Sequence, residues 1–328
     1  MGLAKFLIKR LLQGVVVTWG VVTVVFFLRY LTPGNPTATL LPPDAGPEVR
    51  RRLRENLGLD QPLYVQYYDY ITDLVVLDFG ESMSSGREVA GLVASRLPAT
   101  IELAVAATVV AVVLAIPLGV VSARRRREPV DYGATLFSLV GISTPNFWLG
   151  VMLIIFVGVH VDVIPTTGRQ MGLQTALFAL SNGSVSELGQ WAAQLVLPAI
   201  TLGTYFTALI TRLTRSGMLE ELGQSYVTAC RAKGLPETLT LYKHVLRNTL
   251  IPIVTVLGLQ LGTLIGGAVI TETVFAWPGL GRFLITSINN RDWTSIQGTI
   301  IVIGVGFVLI NIVVDSLYAY LDPRVTAE

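Results

Sequence analysis

Tyr226–Pro252 reads YVTACRAKGLPETLTLYKHVLRNTLIP and lies between two long apolar runs. Arg231, Lys233, Lys243 and Arg247 make it basic, and Arg212 and Arg215 lead into it. Gly234-Leu235-Pro236 predicts a sharp turn between two short helices, since glycine and proline punctuate helices. Leu235, Leu239, Tyr242 and Leu246 recur at helical spacing and give the second helix one apolar stripe. Glu220 and Glu221 precede the first helix, where negative charge suits its N-terminus. The stripe is short for an independent membrane binder. The loop is therefore expected to dock on a soluble partner.

The flanks decide the class. The chain has 328 residues, 52% apolar and 14% charged, where a soluble domain carries about a quarter charged. Six runs carry almost no charge: Leu11–Leu31, Leu97–Ala123, Thr135–Val161, Leu195–Ile210, Leu250–Phe275 and Ile296–Tyr320. A helix needs about 20 apolar residues to cross a ~30 Å hydrocarbon layer. The reading is an all-α integral membrane protein with six transmembrane helices. The fourth run is the weakest, because polar residues interrupt it. The first is too long for a signal peptide and lacks a clear cleavage site, so it reads as an uncleaved anchor.

If six spans alternate, Lys5, Lys9, Arg10, Arg124–Arg127, the loop cations and Arg324 all fall on one side. Excess Lys and Arg marks the cytoplasm, so both termini are expected inside. Thr32–Pro98 holds nine acids against six arginines and is long enough to form a small extracytoplasmic cap. Within it, Pro47–Leu57 reads as a short charged helix and Pro62–Val76 as a segment packed on the membrane surface or the cap. The organisation is residues 1–31 as N-terminal end and first helix, 32–97 as an extracytoplasmic insert, and 98–328 as the core with a cytoplasmic loop at 213–249.

Pro145 and Asn146, in Ser143-Thr144-Pro145-Asn146, break the third run, because proline removes a backbone hydrogen bond. The bend either borders a pathway or is a packing kink. Gly258, Gly262 and Gly266 share one helix face, where another helix can approach closely. Leu173–Leu180 is too short to cross and is expected in the interface. Glu102 reads as a charge in the first helical turn after Pro98, and Glu272 as a candidate for a pathway mouth. Asp315, near the inner end of the last run, reads as solvated or capping. The acids lie near span ends, which points to energy supplied from elsewhere. No G-x-x-x-x-G-K-[ST], H-E-x-x-H or G-x-S-x-G occurs. His160 and His244 fall on opposite sides and cannot share a metal, and the single cysteine, Cys230, cannot form an internal disulfide. Nothing here supports an enzyme, catalytic residues, or a nucleic-acid partner.

At these residues the chain resembles the permease subunits, first-subunit type, of dipeptide/oligopeptide/nickel ABC importers. Their cytoplasmic motif is E-A-A-x3-G-x9-I-x-L-P. Gly234 fits the invariant glycine, Thr228-Ala229-Cys230 stand at E-A-A, and His244-Val245-Leu246-Arg247 stand at I-x-L-P. The peptide branch commonly reads Y-V-R-T-A-R-A-K-G-L, which Tyr226–Leu235 follows at most positions. LPATIELA at 97–104, STPNFWLG at 143–150, ETVFAWPGLG at 272–281, Asn290-Arg291-Asp292 and Leu321-Asp322-Pro323-Arg324 also look like family signatures.

The resemblance implies a type I ABC importer permease fold with an insert between helices 1 and 2. It implies a coupling surface at Thr228, Ala229, Cys230, Arg231, Ala232, Lys233, Gly234 and Leu235, supported by His244, Leu246 and Arg247. It also implies a second homologous permease, two ATPase subunits carrying ATP and magnesium, an extracytoplasmic substrate-binding protein, and a prokaryotic inner membrane. This chain would bind no cofactor. The cargo implied is di- or oligopeptide, with nickel chelates, opines or oligosaccharides served by the same permease type.

Overall fold

A computed structural model describes residues 3–31, 46–56, 58–161 and 164–321. Its elements are α1 (Leu3–Leu31), α2 (Pro47–Asn56), α3 (Leu63–Val75), α4 (Val89–Arg124), α5 (Pro129–Ser143), α6 (Asn146–His160), α7 (Leu173–Ser181) and α8 (Ser186–Leu222). There follow α9 (Ser225–Ala232), α10 (Glu237–Leu239), a π-helical segment Thr240–Val245, α11 (Leu246–Gly267), α12 (Val269–Val274), α13 (Leu280–Asn289) and α14 (Trp293–Leu321). Residues 32–45, at the start of the expected insert, and Asp322-Pro323-Arg324 lie outside the described residues.

The two longest helices, α4 and α8, form the spine. Ala99, Leu103, Ala107, Ala111 and Ala115 of α4 and Leu202, Phe206 and Ile210 of α8 share one buried cluster. Small residues let the backbones close in where lipid provides no hydrophobic drive. A Cβ on Gly203 would stand 2.8 Å from the Ala107 carbonyl oxygen, and one on Gly119 2.5 Å from Thr214. The polar residues that weakened the fourth run are threonines satisfied within their own helix. The hydroxyls of Thr201, Thr204 and Thr207 donate to the carbonyls of Leu197, Ile200 and Gly203 at 2.8, 2.6 and 2.8 Å.

Among the described residues, four helical stretches are long and apolar enough to cross a membrane: Lys5–Leu31, Val89–Arg124, Ser186–Leu222 and Trp293–Ser316. Two bent pairs could add one span each: Pro129–Ser143 with Asn146–Gly158, turning by 107°, and Glu237–Leu250 with Pro252–Leu264, turning by 46°. The third run is thus two helices at nearly right angles. The fifth divides after Gly267, so Glu272 and Phe275 leave the long helix. The second starts at Val89, with Pro98 and Pro117 inside one continuous helix.

Around the spine, α11 lies on α14, and α14 runs antiparallel to α1. The close approach expected from the glycine face holds at two positions. Cβ atoms on Gly258 and Gly262 would stand 2.0 Å from Val314 and 2.9 Å from Phe307. The surroundings of Gly266 are outside the described residues. Gly258→Leu forces these helices apart and lowers stability by about 2–3 kcal/mol, an overpacking cost. Guided by that figure, the thermal unfolding midpoint in detergent should fall clearly, whereas Gly20→Leu, with open space around it, should leave it in place.

α3 packs on the C-terminal half of α1. Thr23 Oγ1 and the Tyr67 hydroxyl lie 2.7 Å apart, and the Tyr30 hydroxyl donates to Gln66 Oε1 at 2.5 Å. Phe26 contacts the rings of Tyr67 and Tyr70. At the other end of α1, Arg10 pairs with Asp315 at 3.2 Å, so Asp315 joins two helices instead of standing solvated.

Candidate functional site

The basic loop is built on one small apolar knot. Val227 of α9 is fully buried and meets Val120 and Ala123 of α4, Met218 of α8, and Leu241 and Val245 of the π segment. Tyr226 lies beside it and donates to Glu221 Oε2 at 2.5 Å. Burial first, and then this hydrogen bond, push the phenol up to about 12, so it keeps its proton at neutral pH. The rest of α9 faces outward: Thr228, Ala229, Arg231 and Ala232 are exposed, with Lys233 and Gly234 beyond, and Cys230 and Leu235 are half-buried.

The turn at Gly234 is a Schellman cap. Gly234 N–H donates to the Arg231 carbonyl at 2.9 Å and Leu235 N–H to the Cys230 carbonyl at 3.2 Å. This closure needs φ of +73° at residue 234, which glycine adopts without penalty. Across it, Arg231 Nη2 and Glu237 Oε1 lie 2.7 Å apart.

Two loop expectations are corrected. Glu220 and Glu221 cap nothing, because α8 continues through Leu222; Glu221 instead ties Tyr226 and, at 3.4 Å, Asn248. The second helix is not short, since α10 runs through the π segment into α11. The i→i+5 turns of that segment shift the register. Thr240, Leu241 and Val245 consequently face inward, while Leu239 and Tyr242 are 40% and 53% exposed. His244 and Leu246 are half-buried, Leu246 against the knot, and Arg247 is exposed.

At the other end of the spine, Glu272 does not face an open mouth. It is 0% exposed and completes the N-terminus of α13. Thr100 Oγ1 donates to Glu272 Oε1 at 2.7 Å, and Arg282 N–H donates to Oε2 at 3.0 Å. Gly281 N–H also reaches this carboxylate, and Leu280 N–H donates to Thr100 Oγ1 at 2.8 Å. The first N–H groups of α13, orphaned by helix geometry, are thus taken up by α4 and α12. Trp277 Nε1 donates to the Ala99 carbonyl at 2.8 Å.

Glu102 is likewise no terminal charge, because α4 begins at Val89. Arg169 grips it through Nε at 3.0 Å and Nη2 at 2.7 Å, and Leu173 N–H adds 2.9 Å. Gln194 holds the same loop by accepting from Gln170 N–H at 2.7 Å. Asp292 accepts from the hydroxyls of Ser82, Ser84 and Ser295 at 2.5, 2.9 and 2.9 Å. Burial pushes its carboxyl up, but these hydrogen bonds outweigh burial and hold it below the usual range. Pro145 caps the start of α6 at the 107° bend; it is exposed and Asn146 half-buried. Among the described residues no group of three or more His, Cys, Asp or Glu could hold a metal.

Residues 115–327 match the family model for the inner-membrane component of binding-protein-dependent transport systems, and residues 3–104 match the model for the N-terminal part of that membrane component. The dipeptide transport system permease protein of Alkalihalophilus pseudofirmus is 39% identical over 98% of both chains. A probable D,D-dipeptide transport system permease of Escherichia coli K12 is 40% identical over 95% of this chain and 94% of its own length. A glutathione transport system permease of Escherichia coli O1:K1 is 39% identical over 98% of both. The chain belongs to this permease family. Permeases of this kind are transport components and not catalysts. A solved structure of the MetNI methionine ABC transporter in inward-facing conformations aligns with TM-score 0.54 and 18% identity, over 70% of this chain and 96% of that one. It relates the fold to type I ABC importers.

One further junction of this permease escaped the sequence reading. Asp131 is buried and accepts from Arg215 Nε at 2.5 Å and Nη2 at 2.9 Å, Ser122 Oγ at 2.6 Å and Arg127 N–H at 2.9 Å. It binds α4, α5 and α8 behind the loop knot. The available signal was Glu128-Pro129-Val130-Asp131, an acid in the first turn of a helix opened by proline.

Proposed function

We propose that this permease forms half of the translocation pathway of an ATP-driven importer of di- or oligopeptides, paired with a second homologous permease. Two ATPase subunits dock on the surface formed by Thr228–Leu235, with His244, Leu246 and Arg247 behind it, and carry the ATP and magnesium. A substrate-binding protein delivers cargo from the other side, where residues 32–97 form an insert. The chain crosses the inner membrane six times, each bent helix pair counting once, with both termini in the cytoplasm. Residues 98–328 are the core, and Pro145 and Asn146 border the pathway at the bend.

The observation that carries this reading is the outward face of α9, anchored by Val227 and otherwise open. ATP on the partners can move the permease only by binding its two states unequally, and this face gives them a grip. The peptide cargo is supported by the relatives named for dipeptide and glutathione transport.

Gly234 tests the coupling role. A Cβ there would meet nothing within 4 Å, so backbone conformation decides the outcome, not bulk. Valine at φ of +73° costs about 1–2 kcal/mol or more, and asparagine tolerates this region. In proteoliposomes of the assembled transporter, Gly234→Val should cut peptide uptake at least tenfold and break its link to ATP hydrolysis, with Gly234→Asn near wild type. Normal uptake by the valine variant at normal assembly would refute coupling through this turn.

A further inference from the structure

Two primary amides, Gln260 and Asn311, stand at hydrocarbon depth on one open side of the molecule. A helix turns by about 100° per residue, and the neighbours of α11 take up most of its circumference. Ile253, Leu257, Leu261 and Leu264 point to the buried cluster around the spine. Gly258 and Gly262 meet Val314 and Phe307 of α14. Val256, Leu259, Gln260 and Thr263 occupy the arc that remains. Leu259 is 54% exposed, Thr263 is exposed, and Val256 and Gln260 are half-buried. Asn311 of α14 borders this arc, half-buried, with its Nδ2 3.6 Å from a Cβ placed on Gly262.

Depth makes these amides costly. Gln260 lies ten residues beyond Leu250, ~15 Å along the helix and so about halfway through a ~30 Å hydrocarbon layer. Asn311 stands against Gly262 and shares that depth. The Thr263 hydroxyl donates to the Gln260 carbonyl at 2.8 Å and lies 3.1 Å from Gln260 Oε1. Neither the Gln260 amide nitrogen nor the Asn311 amide has a hydrogen-bond partner among the described residues. An amide turned to hydrocarbon in that state is strongly disfavoured. Polar side chains at this depth face the bundle interior or a water-filled cavity. Close helix packing in lipid runs over small residues such as glycine and alanine. α14 covers Gly258 and Gly262, and the four positions of the open arc hold neither type. A water-filled path fits this arc better than another helix.

Given the importer reading above, we propose that Gln260 and Asn311 face the translocation pathway at mid-membrane and hold the passing peptide by its main-chain amide groups. A primary amide offers two N–H donors and a carbonyl acceptor, the complement of the C=O and N–H that a peptide repeats. Contact through those groups is blind to the side chains of the cargo. Thr263 fixes the Gln260 carbonyl end and leaves its N–H groups turned to the cargo.

The test uses the full-length permease in its assembled transporter, in proteoliposomes with its binding protein and a mixture of labelled dipeptides. Thr263→Cys probes the arc without removing either amide. A membrane-impermeant methanethiosulfonate is applied and its adducts are mapped by peptide mass spectrometry, which separates this site from Cys230. Labelling at residue 263 should be at least tenfold faster than in Phe156→Cys, an exposed apolar position on α6, and saturating dipeptide should slow it at least threefold. Gln260→Leu with Asn311→Leu should lower dipeptide uptake at least fivefold without lowering the thermal unfolding midpoint, since leucine carries no amide in need of a partner. Wild-type uptake by this double variant would overturn the proposal. So would labelling no faster than at residue 156, or labelling that dipeptides leave unchanged while the wild type imports them. A loss of uptake matched by a lower midpoint would make the two amides packing groups and overturn it as well. Failure of the wild type to import any dipeptide at normal assembly would be seen in uptake alone; it would sink the importer reading, and the peptide contact with it.

Discussion

Glu272→Ala is expected to cost this permease about 3–5 kcal/mol of stability, and its transport with it. The carboxylate is fully enclosed and receives Thr100 Oγ1, Arg282 N–H and Gly281 N–H. Truncation leaves each donor buried without its acceptor. Each such loss costs about 1–3 kcal/mol, and the sum is not additive. The opened cavity adds to it. Glu272→Gln keeps the shape and one carbonyl oxygen, so about 1–2 kcal/mol is expected. Gly279→Ala approaches the same point from the other side, because its Cβ would stand 2.1 Å from Glu272 Oε1 and must displace the carboxylate. Thermal unfolding in detergent and peptide uptake should therefore rank wild type, Gln and Ala in that order, with Gly279→Ala well below wild type. An alanine variant as stable as wild type would sink the capping role.

Asp131→Ala has the next largest effect. It strips Arg215, Ser122 and the Arg127 N–H of their shared acceptor and leaves a guanidinium half-enclosed. Breaking a buried pair from one side costs about 3–5 kcal/mol. The Arg215 side chain is 30% exposed, and solvent relieves part of that, so about 2–4 kcal/mol is expected. Arg127 sits at φ of +65°, an angle uncommon for any residue but glycine and harder to keep once its N–H has lost that acceptor. The decisive comparison is the double variant Asp131→Leu with Arg215→Met. Removing both charges should recover more than half of the loss, and a double-mutant cycle gives the coupling directly. Additive losses in the double variant would show that the two groups act separately.

The sequence reading succeeded where one local cause sufficed. The turn at Gly234 was legible because its cap demands glycine, and Gly258 and Gly262 because their spacing has a single packing consequence. The break at Pro145 was legible too, although its angle was not, since a proline removes one bond and leaves the direction of the next helix to its neighbours. Where several elements contribute, local reasoning chose wrongly. Pro98 makes Glu102 look like a charge at a helix start, and its place near a run's end makes Glu272 look like a pathway mouth, but their roles come from Arg169 and from the start of α13, distant in sequence. The stripe Leu235, Leu239, Tyr242 and Leu246 assumed α-helical spacing, and the π segment displaced it. Asp131 was overlooked because an acid beside four arginines looks solvated until Arg215 of another helix is set against it.

The contacts that lock the end of the spine away from the basic loop join residues far apart in the chain: Thr100 to Glu272 across 172 positions, and Ser82 to Asp292 across 210. During synthesis at about 5–20 residues per second, Thr100 waits roughly 9–34 seconds for its partner to be made. Throughout that interval α4 and α8 are joined at this end through Glu102, Arg169 and Gln194, but the clasp to α13 is missing. A nascent chain released before α13 emerges carries the spine and the loop knot but lacks the clasp. Biogenesis of this permease is therefore completed from its C-terminal end, and premature termination there yields a product that is inserted yet open to proteolysis.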